Sequence, residues 1–159
     1  MKAKIYIETS LAGPCVKDGW YAVAIECETQ KGPAMIGTVG MEKETTYYRS
    51  VLLAVVLALR KLKPCEAEIH TRCTFIKGMY EQGQPENWRR AEWKKATGDE
   101  VENRELWQQF FDEINRMGGR DKITFRHSKN HAYSDLLRDK IRKSQKKYRE
   151  RAAQNAEKP

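Results

Sequence analysis

The sequence predicts a mixed α/β domain, a five-stranded sheet with helices packed on its faces. Three observations carry this prediction. Three strand-like runs come first, separated only by short turn signals. A long apolar helical run follows, and after it strand-like and helical segments alternate to the end. Strands joined by tight turns pair antiparallel, whereas strands separated by helices add in parallel. The order βββαβ-α-α-βα therefore gives three antiparallel strands and then parallel ones.

Each element has its own signal. Ala3 to Thr9 alternates and is β-branched, which reads as a strand. Gly13-Pro14 marks a loop, and Trp20 to Glu28 is a second strand apolar enough for burial on both faces. The turn Lys31-Gly32-Pro33 leads to a third strand over Ala34 to Val39. Thr45-Thr46 opens a helix predicted from Tyr47 to Lys63, with cations in its last turn and Pro64 as its stop. Glu66 to Thr71 is the fourth strand, and Phe75 to Tyr80 a short helix. Asn103 to Met117 places Leu106, Trp107, Phe110 and Ile114 at helical spacing before Gly118-Gly119. Lys122 to His127 is the fifth strand, and a last helix starts near Ser134. The domain is expected over residues 1–143, with a basic, frayed tail over 144–159.

Composition bounds the function. The 159 residues suffice for one domain with a core that needs no disulfide or metal staples. A net charge of +8 favours polyanionic partners. Cys15, Cys27, Cys65 and Cys73 form no CxxC pair and read as reduced thiols. The start Met1-Lys2-Ala3-Lys4-Ile5 has no apolar leader, and the apolar run Val51 to Leu59 is far too short to span a membrane. A cytoplasmic monomer is the expectation.

Several stretches then carry a resemblance by order and spacing. They are Glu8-Thr9-Ser10, Gly13-Pro14, Gly19-Trp20-Tyr21-Ala22, Thr45-Thr46-Tyr47-Tyr48-Arg49-Ser50-Val51-Leu52, and Thr71-Arg72-Cys73-Thr74-Phe75. Asn87-Trp88-Arg89-Arg90, Trp93-Lys94-Lys95, Asn103-Arg104-Glu105-Leu106-Trp107 and Lys129-Asn130-His131-Ala132 continue it, with Asp135 and Asp139 beyond. In this order the chain resembles a type 1 ribonuclease H over about Lys4 to Arg142. The resemblance implies the ribonuclease H-like fold and a nucleic-acid partner, an RNA–DNA hybrid or another structured duplex.

The same resemblance implies a site built from four carboxylates that hold two divalent ions about 4 Å apart. Its four positions read here Glu8, Val51, Arg72 and Asp139. Arg72 is therefore expected to bridge Glu8 and Asp139 where metals would sit, because an arginine cannot give up its proton. No metal or other cofactor is expected. A divergent enzyme would instead use Glu8 and Asp139 with magnesium or manganese, helped by Glu42, Glu44 or Asp135. His131 matches the family's mobile histidine, but without metals it reads as a loop histidine with a local hydrogen bond. His70 and His127 read as packing or surface residues.

The implied binding surface is fuller. Thr46 matches a phosphate-pocket threonine and equally suits an N-cap. Tyr47 and Tyr48 replace two asparagines that face the hybrid's minor groove. Trp88 and Trp93 lie among Arg89, Arg90, Lys94 and Lys95, a mixture suited to a sugar–phosphate backbone. The last helix adds Arg138, Lys140, Arg142, Lys143, Lys146, Lys147, Arg149 and Arg151, which extend that footprint or dock an acidic protein. Binding without efficient cleavage is the leading expectation, a metal-dependent ribonuclease the second, and a protein-interaction scaffold the third.

Overall fold

The computed structural model describes residues 2–157. The expected domain start at residue 1 and tail end at residues 158–159 lie outside the described residues. The elements are β1 (Lys2–Thr9), β2 (Lys17–Thr29), β3 (Gly32–Thr45), α1 (Tyr47–Arg60), β4 (Glu66–Thr71) and α2 (Thr74–Glu81). They continue with α3 (Gln84–Arg90), α4 (Arg104–Met117), β5 (Ile123–His127) and α5 (Ser134–Glu157). The sheet order is β3-β2-β1-β4-β5. β1 pairs antiparallel with β2 and parallel with β4, β2 pairs antiparallel with β3, and β4 parallel with β5. This is the predicted five-stranded mixed sheet.

Side-chain alternation divides the sheet into two faces. Ala3, Ile5 and Ile7 of β1 and Val23 and Ile25 of β2 enter the main core beneath α1 and α4. Tyr6, Ala22 and Ala24 point the other way and pack on Leu137 and Ile141 of α5. Glu8 shares the parity of Tyr6. Helix α1 buries residues around its whole circumference, including Val51, Leu52, Val55 and Leu59, because the sheet covers one side and α4 the other.

Five features differ from the sequence expectation by three residues or more, the first being that β2 begins at Lys17 rather than Trp20. β3 runs to Thr45 rather than Val39, because it is an edge strand held by its long register with β2. At Gly40 the Tyr21 ring lies over the backbone, where a Cβ would meet its hydroxyl. Helix α3 has no apolar periodicity to announce it, and Pro85 opens its first turn. Helix α1 stops at Arg60, three residues before the expected end. Helix α5 continues unbroken through Ser144 to Glu157, so the expected frayed tail is helical over its described part. Its Lys, Arg, Glu, Gln and Ala residues are good helix formers even without burial.

One side chain ties the two main helices together. Arg116 of α4 donates to the carbonyls of Leu59 at 2.6 Å and Leu62 at 2.8 Å, and to Glu113 at 2.7 Å. The Leu59 carbonyl already accepts the Leu62 N–H at 3.0 Å, so the guanidinium adds a second bond there and one to the Leu62 carbonyl just past the helix end. Arg116→Met is expected to lower stability by about 2 kcal/mol, the order of a charge-assisted hydrogen bond removed. Urea denaturation of the two proteins checks this; an unchanged midpoint would mean water replaces the guanidinium at no cost.

Candidate functional site

The strand order reverses at β1. The chain leaves β1 for β2 on one side, while β4 lies on the other. Open α/β sheets form a crevice at such a point, beyond the carboxyl ends of the parallel strands. Glu8 stands there, near the end of β1. The β1–β4 register runs from Lys2 opposite Glu66 to Tyr6 opposite His70, and carried two residues further it sets Arg72 beside Glu8.

Glu8 is 3% exposed and fully engaged. Ser134 Oγ donates to its Oε1 at 2.9 Å, and His131 Nε2 lies 3.4 Å from the same oxygen. Arg138 Nε approaches its Oε2 at 3.5 Å. The His131 Nδ1 accepts the Tyr133 backbone N–H at 3.1 Å, which leaves the ring proton on Nε2, facing Glu8 and the Ile7 carbonyl. Burial alone would raise the Glu8 carboxyl; hydrogen bonds from His131 and Ser134 and the Arg138 charge outweigh it, so Glu8 lies below the ordinary carboxylate value.

A pH dependence follows. A carboxyl held below its unfolded value, about 4.3 for Glu, contributes stability that is present above that value. The contribution is lost as pH falls through the lower folded value. Glu8→Gln is therefore expected to be less stable than the parent at pH 7, and the gap to close below about pH 4. Denaturant midpoints from pH 7 to pH 3 test this; a gap independent of pH would mean the ionised form is not what the pocket holds.

The other expected site residues fall differently. Arg72 does not bridge Glu8 and Asp139: it is exposed, and Glu8 takes Arg138 instead. Asp139 lies on the outer side of α5 and pairs with Lys143 at 2.9 Å and Arg142 at 3.7 Å. Val51 is 1% exposed in the main core. The substitute carboxylates do not converge either. Glu42 pairs with Arg49 at 2.9 Å, Glu44 is exposed, and the Asp135 side chain is fully exposed. His131 lies in the loop before α5 and has the expected local hydrogen bond, from the Tyr133 N–H, but its side chain is also buried, 3% exposed, against Tyr6 and Glu8. His70 is half-buried, stacked on Tyr6 at 4.6 Å and bonded to Glu68, and His127 is exposed. Ser134 and Arg138 are the residues that sequence reasoning missed.

Beside this crevice runs the expected binding surface. Thr46 is the N-cap of α1, its side chain accepting the Arg49 N–H at 3.3 Å. Arg49 pairs with Glu42 and Glu105, pinning the start of α1 to the start of α4. Tyr47 turns inward: burial and the neighbouring Cys73 thiol push its hydroxyl well above the ordinary tyrosine value. Tyr48 stays exposed and stacks on Phe75. A groove of about 480 Å³ opens here, lined by Gly13, Pro14, Thr46, Tyr47, Tyr48 and Asn103 among others.

The two handle tryptophans are structural. Trp93 is 8% exposed and meets Phe111 edge-on, so it offers no face to a ligand, contrary to expectation. Trp88 is half-buried against Trp107 at 5.0 Å. The cations around them do face solvent. Arg89 lies over the Phe111 ring, Arg90 bonds Asn87, and Lys94 and Lys95 follow on the exposed turn.

Comparison with known proteins agrees with this architecture. A family model described as RNase H matches residues 4–139. The ribonuclease H of Acetivibrio thermocellus is 31% identical over 154 residues, covering 92% of this chain and 99% of its own. That of Chlorobium luteolum is 30% identical over 132 residues, covering 82% and 84%. Among solved structures, LC9-RNase H1, a type 1 RNase H with the type 2 active-site motif, aligns with a TM-score of 0.67 at 21% identity, over 87% of this chain and 69% of that one. LC11-RNase H1, solved in complex with an RNA/DNA hybrid, aligns with a TM-score of 0.60 at 19% identity, over 89% and 98%. Matched over most of its length by the family model and by its relatives, and built on the same mixed sheet, the chain belongs to the ribonuclease H family and has the type 1 fold.

Proposed function

We propose that this protein binds RNA–DNA hybrid, or a duplex of similar shape, through its backbone and does not cleave it efficiently. One observation carries the reading: the crevice carboxylate Glu8 already faces the Arg138 guanidinium and accepts hydrogen bonds from His131 and Ser134. Two divalent ions need several hard oxygen ligands. Here β4 is followed by Arg72, α1 contributes Val51, and α5 turns Arg138 inward and Asp139 outward. Among the described residues no group of three or more His, Cys, Asp or Glu converges as a metal cage. The residues present do not fit the metal pair.

Affinity in this reading comes from cations on phosphates, which need no base readout. Arg89, Arg90, Lys94, Lys95 and the basic face of α5 supply them. Structural neighbours support the choice of ligand, since LC11-RNase H1 was solved with an RNA/DNA hybrid bound. No described helix is long and apolar enough to cross a membrane, and all four cysteines are free. A cytoplasmic monomer is the accompanying proposal.

The second reading is a metal-dependent ribonuclease, favoured by the identity to relatives named ribonuclease H. A labelled hybrid incubated in magnesium and then manganese separates the two, with binding measured alongside. The expected result is a bound hybrid cut no faster than by Glu8→Ala. Metal-dependent cleavage that Glu8→Ala abolishes would overturn the binding-only reading.

A further inference from the structure

The family's two-metal crevice does not account for an aromatic shelf beside it. Tyr48 of α1 and Phe75 of α2 stack with ring centroids 4.1 Å apart and planes within 16°. Both rings are exposed, Tyr48 at 43% and Phe75 at 38%, where large apolar side chains are usually covered. The shelf forms one wall of a cleft of about 140 Å³ whose lining includes Trp88, Lys95, Glu102 and Asn103.

The surroundings select a ligand. Arg72 stands three residues before Phe75, exposed, while Glu8 and Asp139 are paired to other cations. Lys95 is half-exposed in the lining of the same cleft. The one carboxylate in the lining, Glu102, lies 3.9 Å from Lys95 and is 87% exposed, free to swing into water. Flat rings flanked by cations match a nucleobase with its phosphates on either side. Inside a duplex each paired base has both faces covered by its neighbours, so within a strand an unpaired base is the one free to extend the stack.

We propose that the Tyr48–Phe75 shelf stacks one unpaired base of a single-stranded segment, with Arg72 and Lys95 on the flanking phosphates. This rests on the nucleic-acid reading above and adds a second kind of ligand, a strand rather than a duplex. Stacking of this kind is sequence-tolerant, because every base presents a π-face.

The test uses the full chain and two labelled single-stranded 12-mers, oligothymidylate and an abasic strand of equal phosphate number, with a blunt RNA–DNA hybrid in parallel. The unmodified protein is expected to prefer oligothymidylate to the abasic strand. Tyr48→Ala or Phe75→Ala should weaken oligothymidylate binding by about 5- to 100-fold. Abasic binding and its salt dependence should stay unchanged in both variants, and hybrid binding should stay unchanged in Phe75→Ala; Tyr48 also lines the duplex-facing groove, so its variant is read on the two single strands alone. Tyr48→Phe, which keeps the ring, should bind like the parent and serves as the folding control. Equal affinity of the parent for the two strands overturns the shelf, and so does a parallel loss on both strands in Tyr48→Ala. Hybrid binding retained in those cases leaves the duplex reading standing. Failure to bind the hybrid as well overturns both.

Discussion

The double variant R72D/R138D is expected to melt at a higher temperature in manganese than in chelator, whereas the unmodified protein melts alike in both. Register places Arg72 beside Glu8, and Arg138 Nε lies 3.5 Å from its carboxylate. Reversing both charges surrounds Glu8 with two more carboxylates and removes the cation that holds it ionised. At about 4 Å and an effective dielectric near 20, each like-charge pair costs about 4 kcal/mol. The variant is therefore unstable alone, and a divalent ion is the group that relieves it. At a hundredfold excess over its dissociation constant, such an ion contributes about 2.7 kcal/mol to the folded state. For a chain of this size that is a rise of roughly 5 to 10 °C. The same shift in the unmodified protein would mean that Glu8 finds metal-binding partners despite Arg138, and would favour the ribonuclease reading. No shift in the variant would mean that the two new carboxylates do not converge on Glu8.

Much of the fold is legible because its signals are strong and local. β4 begins and ends where expected, and the Leu106, Trp107, Phe110, Ile114 stripe of α4 faces the core as its period requires. The signal fails where tertiary pairing rather than local pattern decides. β3 extends through Gly37, Gly40 and the charged residues before Thr45 because β2 supplies its hydrogen bonds. Helix α3 is polar and short, and its Trp88 is anchored by Trp107 from α4, an arrangement invisible in one dimension.

The site shows the same division. Glu8 and His131 are legible by their places in the motif order, and they meet. The last helix is harder, because residue type points to Asp139 while helical phase points elsewhere. Leu137 and Ile141 mark the buried stripe of α5, with Ser134 one turn before. Asp139 is two residues past Leu137, about 200° around the helix, and so faces outward. Arg138 follows Ser134 by four residues and shares its side. That phase is written in the sequence and identifies Arg138 as the group turned toward Glu8. Trp93 is illegible for the opposite reason: its burial depends on Phe111, far along the chain, and no local pattern announces it.

Shortening the chain after Ser144 is expected to flatten the salt dependence of hybrid binding without unfolding the domain. The last buried residue of α5 is Ile141, and beyond Ser144 the one aromatic contact among the described residues is Tyr148 edge-on to Trp20. The removed segment carries four exposed α5 cations, Lys146, Lys147, Arg149 and Arg151, together with Lys158 outside the described residues. Earlier cations of the helix are partly engaged inside the protein, Arg138 with Glu8 and Arg142 and Lys143 with Asp139. The distal four are therefore the α5 cations best able to meet phosphate. Each phosphate that is no longer neutralised should reduce the slope of log K against log salt by about 0.9 for a B-form duplex, so four would remove roughly 3 to 4. Affinity at low salt should fall by orders of magnitude, while a parallel change of Arg89 and Arg90 to Glu weakens what remains. An unchanged slope in the shortened chain would confine the footprint to the handle and leave α5 for an acidic protein surface. A slope that vanishes would place the whole footprint on α5, and the exposed cations of the handle would then need another explanation.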